Sequence, residues 1–281
     1  MSFAAALQAG FAAGKHLCVG IDPHTFLLEE WGLADTAAGA QEFGLRVVDA
    51  AAESGEVLAL KPQVAFYERF GSAGFVALEK VFAAAREAGL PIIADAKRGD
   101  IGSTFAAYAA AWFTPGAPLE ADALTAVAYQ GFGSLQAGLD LMQKHGKGMF
   151  VLGATSNPEA AATQQAVCAD GKTVAAAVLQ EAHEFNTAHA EENVGSVGVV
   201  LGATVKLADF GIDTSQQNTP ILPILAPGFG AQGGQLSDAA ELFGELRHGL
   251  IINESRGVLA GDPAQISKRI ANRAIIIREV L

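Results

Sequence analysis

Leu90-Pro91-Ile92-Ile93-Ala94-Asp95-Ala96-Lys97-Arg98-Gly99-Asp100 decides how this chain reads, because a short apolar run of the kind buried on both faces ends abruptly in charged side chains. Parallel α/β proteins place their chemistry where a buried strand ends. Alternate residues of an extended chain share a face, so Asp95 and Lys97 leave the strand on the same side, and Gly99 permits a sharp turn ahead of Asp100. That spacing allows Asp95 and Asp100 to bracket the Lys97 ammonium, keep it protonated and fix its direction. Taken alone, a charged hexapeptide also fits a solvated loop with incidental ion pairs. The rest of the chain carries the decision.

Short apolar runs rich in β-branched residues recur at Leu17 to Ile21, Val57 to Leu60, Pro91 to Ala94, Ala123 to Ala126, Met149 to Leu152, Val197 to Leu201, Ile221 to Leu225 and Leu250 to Ile252. Alanine-rich segments with helical spacing lie between them, among them Gly74 to Ala88, Thr104 to Trp112 and Thr173 to Ala190, each long enough for a crossover helix. Repeated strand and helix in a chain of 281 residues predicts a (β/α)8 TIM barrel, with a doubly wound open sheet as the competing architecture. No repeat of fixed period, low-complexity linker or shift in composition marks a boundary, so residues 1–281 read as one barrel domain. Thr114 to Pro118 and Asp209 to Pro220 are the clearest loops.

Thirty acidic against 18 basic residues give a formal charge of −12, which opposes broad attraction to nucleic acid or to an anionic membrane surface, so an anionic ligand requires a local basic pocket. Cys18 and Cys168 are too few for a disulfide framework and fit a reducing cytoplasm. Met1 to Gly14 lacks a basic start before its apolar residues and reads as a short helix rather than a signal peptide, and no apolar run approaches membrane-spanning length. His16, His24, His145, His183, His189 and His248 are scattered, and the six-residue spacing of His183 and His189 aligns them poorly as helical metal ligands. No metal is expected.

Polar and glycine clusters gather where the predicted strands end: Gly20-Ile21-Asp22-Pro23, Lys61-Pro62-Gln63, the charged hexapeptide, Thr155-Ser156-Asn157-Pro158, Pro227 to Gly234, and Asn253 to Gly257. In a barrel these ends form the active face. Gly228-Phe229-Gly230-Ala231-Gln232-Gly233 satisfies G-x-G-x-x-G, and Glu254 imitates the ribose-binding acid of a dinucleotide fold. Too few residues follow it to supply the further strand–helix units that such a fold needs. What survives is more general: glycines let backbone N–H groups approach an anion, barrels often hold phosphate after strands seven and eight, and Arg256 stands where it can grip the same phosphate in a bidentate manner.

These segments, taken with Leu60-Lys61-Pro62 and Ser255-Arg256, resemble the orotidine 5'-phosphate decarboxylase family, in its longer bacterial branch, from Cys18 to Gly257. The resemblance implies cofactor-free decarboxylation of orotidine 5'-phosphate to uridine 5'-phosphate, the last step of de novo UMP biosynthesis. It implies a charge network of Lys61, Asp95, Lys97 and Asp100, with Lys97 stabilising and protonating a carbanion at pyrimidine C6. It further implies a homodimer with shared sites, Asp100 and Ile101 reaching the neighbouring subunit. Asp22 and Thr104 would contact ribose hydroxyls, Thr104 across the interface. Ser156 would bond the pyrimidine with Asn157 nearby, while Gln232 and Arg256, with the Gly228 and Gly230 loop, would hold the phosphate. Two segments depart from the family pattern: Ala128 stands where a proline commonly precedes Tyr129, and Val205-Lys206 stands where an aromatic and a proline are expected.

Three rivals share parts of this reading. A Schiff-base aldolase would use Lys61 or Lys97 as nucleophile, but flanking acids hold the amine protonated. A magnesium-dependent sugar-phosphate lyase of a sister family would need carboxylate ligands and fail in chelator. A noncatalytic nucleotide-binding barrel would bind without turnover.

Overall fold

Residues Met1–Leu281 are described by a computed structural model. Eight parallel strands run β1 (Leu17–Ile21), β2 (Ala59–Pro62), β3 (Ile93–Arg98), β4 (Ala123–Ala126), β5 (Gly148–Ala154), β6 (Val197–Leu201), β7 (Ile224–Pro227) and β8 (Leu250–Glu254). Their order is β2-β1-β8-β7-β6-β5-β4-β3. The two outer strands of that order meet through the parallel bridges Leu60↔Ile92 and Gln63↔Asp95, so the sheet curls into a (β/α)8 barrel rather than an open sheet.

Alternation divides each strand between two cores. Leu17, Val19, Ala94, Leu124, Val199, Ile224 and Ile252 face the surrounding helices. Cys18, Ile93, Ala123, Phe150, Leu225 and Ile251 form a second cluster with Phe3 and Leu7 of the helix Phe3–Ala12. That helix plugs the end of the barrel where the strands begin: Phe3 packs edge-on against Phe150 at 6.0 Å, and a Cβ on Gly148 would lie 2.2 Å from the Phe3 ring. The barrel is filled from below, and the polar residues collect at the opposite, carboxyl-terminal mouth.

Crossover helices Gly71–Glu87, Gly102–Phe113 and Val174–His189 cover the stretches whose spacing predicts them. Thr173 caps the last of these, its hydroxyl accepting from Ala176 N–H at 3.0 Å. No helix is long and apolar enough to cross a membrane.

Candidate active site

Lys61 on β2 and Asp95 on β3 face each other at the seam where those strands close the barrel, and both are buried, at 4% and 6% exposure. The Asp95 carboxylate is saturated with donors. Its Oδ2 accepts from Lys61 Nζ at 2.6 Å and Gln63 Nε2 at 3.0 Å; its Oδ1 accepts from Lys97 Nζ at 2.6 Å and Thr125 Oγ1 at 2.9 Å. Burial would raise the pKa of this carboxyl, but the two ammonium groups outweigh it and hold Asp95 well below the usual carboxylate range. Burial would likewise lower the pKa of Lys61, yet Asp95 and Asp22 together push it above the usual lysine range. Both residues are therefore charged at neutral pH.

Lys97 is the one non-glycine residue in the left-handed region, with φ +49°, a conformation that costs a side-chain-bearing residue roughly 1–2 kcal/mol. The register explains where it comes from. Ala94 pairs with Leu124 and Arg98 with Ala126, so β3 advances four residues while β4 advances two. Beyond this bulge, Gly99 passes so close to β4 that a Cβ there would sit 2.3 Å from the Val127 carbonyl oxygen. The extra chain turns Lys97 over the mouth, its side chain 45% exposed, with the ammonium reaching back to Asp95.

Asp100 does not bracket Lys97 within this chain. Its Oδ1 instead accepts from the Ile101 N–H at 2.8 Å. The alternating pattern is thus one carboxylate between two ammonium groups, the inverse of the arrangement the hexapeptide spacing suggests. Ile101 is 60% exposed, Thr104 is exposed beside it and Asp100 is half-buried, and none of the three bonds to the Lys61–Asp95–Lys97 array.

Around the rest of the mouth, Asp22 follows β1 with its Oδ1 buried and unpartnered, close enough to Lys61 to act on its charge. Ser156 follows β5, exposed, its backbone nitrogen 3.5 Å from where a Gly202 Cβ would stand. Asn157 bonds locally, accepting from Thr155 Oγ1 and donating to Glu159. After β7, Gly228 and Gly230 adopt φ of +112° and +70° and fold the loop back on itself, with Gly230 N–H donating to Gly234 O at 2.8 Å. Gln232 is exposed on that loop and lies over Gly228. Arg256 is half-buried after β8 and, unlike Arg69, Arg98 and Arg273, forms no ion pair. His24 feels the charges of both Asp22 and Arg256, which sets those two on neighbouring parts of the rim. The departures from the family pattern are accommodated: Ala128 packs against the main core, Val205 is buried, and Lys206 points outward to Asp209.

Gln63 and Thr125 belong to the Asp95 network although the sequence reading assigns them no role. Strand alternation contains the signal, since Gln63 lies two residues beyond Lys61 and Thr125 two beyond the inward Ala123. Glu254 is no ribose ligand: it points to the helix layer, where Arg273 of the helix Ile266–Val280 pairs with it. No group of three or more His, Cys, Asp or Glu residues is gathered in a way that could hold a metal ion.

Known proteins with this sequence pattern carry the same fold. Residues 15–270 match the sequence profile of the Orotidine 5'-phosphate decarboxylase / HUMPS family. The chain is 46% identical to the orotidine 5'-phosphate decarboxylase of Corynebacterium efficiens over 266 residues, covering 94% of this chain and 92% of that protein. It is 46% identical to the one from Streptomyces coelicolor over 272 residues, 96% and 94% of the two chains. A crystal structure provisionally assigned as orotidine 5'-phosphate decarboxylase from Streptomyces avermitilis superposes with TM-score 0.91 at 44% identity, over 99% of this chain and 95% of that one. The Leishmania donovani OMP decarboxylase superposes with TM-score 0.77 at 33% identity over all of both chains. With the profile spanning nearly the whole barrel and relatives matched over nearly their full length, this chain belongs to the orotidine 5'-phosphate decarboxylase / HUMPS family.

Proposed function

We propose that this chain, as one (β/α)8 domain over residues 1–281, converts orotidine 5'-phosphate to uridine 5'-phosphate and carbon dioxide without a cofactor, the closing step of UMP biosynthesis. The observation that carries the reading is the Lys61–Asp95–Lys97 array at the strand ends, with Lys61 and Asp95 buried and Lys97 facing the open mouth. The C6–carboxylate bond breaks, carbon dioxide leaves, and the electron pair stays on C6. Lys97 stabilises that charge and then gives C6 its proton, after which the amine recovers a proton from water. An ammonium already aimed by a fixed carboxylate reorganises little as charge moves toward it, and this preorganisation is the main source of acceleration in the proposal. Asp95 lies beside the departing carboxylate and repels it, a smaller contribution.

Binding is assigned to the remaining rim. Asp22, with an unpartnered buried oxygen, accepts from ribose hydroxyls. Ser156 and Asn157 meet the pyrimidine. Gln232, Arg256 and the backbone of Gly228 and Gly230 hold the phosphate, with the unpaired Arg256 guanidinium as its cation. Phosphate is remote from C6, so its binding energy closes and dries the site without touching the chemistry. We further propose a homodimer in which Asp100, Ile101 and Thr104 complete the partner's site. The exposure of Ile101 and Thr104, with that of Tyr108 and Tyr129, supports a covered face there. A cytoplasmic location belongs to the same proposal and fits two unpaired cysteines.

Ultraviolet absorbance of orotidine 5'-phosphate with the purified protein in excess chelator, run beside unphosphorylated orotidine, tests the reaction, its independence of metal and its need for the phosphate at once. Rapid, chelator-insensitive conversion that depends on the phosphate is expected. No conversion by folded dimeric protein would overturn the assignment.

A further inference from the structure

We propose that Thr125 is a positioning residue whose hydroxyl aims the Lys97 ammonium by tying the Lys97 backbone to the Asp95 carboxylate. The inference rests on the decarboxylase reading and deepens it. Thr125 is 1% exposed, and its Oγ1 makes two bonds in opposite senses: it accepts from Lys97 N–H at 2.9 Å and donates to Asp95 Oδ1 at 2.9 Å. A hydroxyl has the single donor and the acceptor lone pairs that this bridge needs, whereas the nearly isosteric valine has neither.

The bulge gives the bridge its purpose. Between the pairs Ala94↔Leu124 and Arg98↔Ala126 the regular ladder is broken, and the Lys97 N–H has left the backbone acceptors of β4. Thr125 supplies a side-chain acceptor in their place, and the ladder resumes when Val127 N–H donates to Arg98 O at 2.9 Å. At that point Lys97 holds its left-handed φ of +49°. Such a conformation persists only where its surroundings over-determine it. Three bonds do so here: backbone to Thr125, Thr125 to Asp95, and Asp95 back to Lys97 Nζ at 2.6 Å. The resulting ring fixes both ends of one residue, so the ammonium is aimed from its backbone as well as its tip. Without the hydroxyl, Lys97 keeps its counter-charge but loses the anchor that turns it over the mouth.

Two substitutions separate this role from packing. Thr125→Val keeps the volume and removes both bonds; Thr125→Ser keeps the bonds and removes a methyl group. A packing role ranks valine above serine, and an aiming role ranks serine above valine. For Thr125→Val the expected result is a fall in kcat on the order of 10²-fold, the scale of a ~1 Å misplacement. KM for orotidine 5'-phosphate and the affinity for uridine 5'-phosphate should stay within a few-fold, because the assigned phosphate grip lies on β7 and β8. Thr125→Ser should recover most of kcat. Amide hydrogen exchange at Lys97 supplies a readout independent of turnover: protected in wild type and Thr125→Ser, fast in Thr125→Val. Wild-type kcat in Thr125→Val, or a valine variant that outperforms serine, overturns the inference. If wild type fails to decarboxylate orotidine 5'-phosphate, the functional reading falls, and the exchange pattern alone still decides for or against Thr125 as the anchor.

Discussion

Asp95→Asn is the sharpest test of the central network, because asparagine keeps the shape and removes the one charge that two lysines share. Lys61 is 4% exposed and has no other carboxylate in hydrogen-bond contact. Leaving a buried ion without its counter-charge costs about 3–5 kcal/mol. Lys97 is 45% exposed, so water screens its loss and adds little. At ~2–4 °C per kcal/mol for a domain approaching this size, Asp95→Asn should lower Tm by about 10 °C. Asp95 is depressed on folding, so its contribution is complete above the unfolded carboxylate pKa and is lost progressively as pH falls from there through the lower folded value. Lys61 is raised, so its contribution is complete below the unfolded lysine pKa and is lost progressively as pH rises from there through the higher folded value. The deficit of Asp95→Asn should therefore hold as pH falls to about 5 and shrink toward alkaline pH, where the desolvated Lys61, deprived of Asp95, can shed its proton. Thermal and urea unfolding should be measured with Lys61→Met and with the double variant, which removes charge from both sides. Relative to the sum of the single losses, the double variant should recover about 2 kcal/mol or more. An Asp95→Asn protein as stable as wild type, or strict additivity, would refute the claim that one buried carboxylate holds the array together.

Arg256→Ala should cut kcat/KM for orotidine 5'-phosphate by about 10²-fold, the scale of a ~3 kcal/mol charge-assisted contact, and Gln232→Ala by roughly tenfold. Unphosphorylated orotidine should respond far less, and equal losses on both substrates would remove these residues from phosphate binding. Cys18 is wholly buried, its thiol pushed up to about 12 by desolvation, so a water-soluble thiol reagent should modify only the partly exposed Cys168 in the native protein; rapid loss of both thiols would contradict the closed barrel floor. Mixing inactive Lys97→Ala and Asp100→Ala subunits should restore roughly a quarter of wild-type activity, since half the dimers would carry one intact site. No recovery in verified heterodimers would place Asp100 outside the partner's site.

The barrel was legible because eight apolar runs alternate with helical segments, yet three of those runs are offset from the strands they mark, and two more, Met149 to Leu152 and Leu250 to Ile252, stop two residues before their strands end. Pro91 to Ala94 becomes β3 at Ile93–Arg98, Val57 to Leu60 becomes β2 at Ala59–Pro62, and Ile221 to Leu225 becomes β7 at Ile224–Pro227. The displacement is always toward the carboxyl end, and its cause is physical. Hydropathy reports burial among apolar neighbours, whereas the last turns of a barrel strand line a polar mouth while still pairing with their neighbours. Lys61, Asp95 and Lys97 are strand residues that read as loop for this reason. The same effect hid Gln63 and Thr125, polar residues inside the barrel with no motif of their own.

The inversion at Asp95 follows from what local sequence can encode. Asp95, Lys97 and Asp100 sit within one hexapeptide, so their spacing suggests that they satisfy one another. Lys61 is 34 residues from Asp95 and Thr125 is 30, and only closure of β2 against β3 and pairing of β3 with β4 bring them in. With those distant partners on the Asp95 carboxylate, Asp100 makes no bond to Lys97 and lies half-buried, accepting from the N–H of the exposed Ile101. A carboxylate held at the rim by a single bond to the next backbone N–H, next to an exposed isoleucine, gives little to its own chain. The mouth therefore divides in a way no linear motif expresses: β2, β3 and β4 hold a charged array, β7 and β8 leave Arg256 unpaired, and the segment after β3 carries an acid that the array does not use.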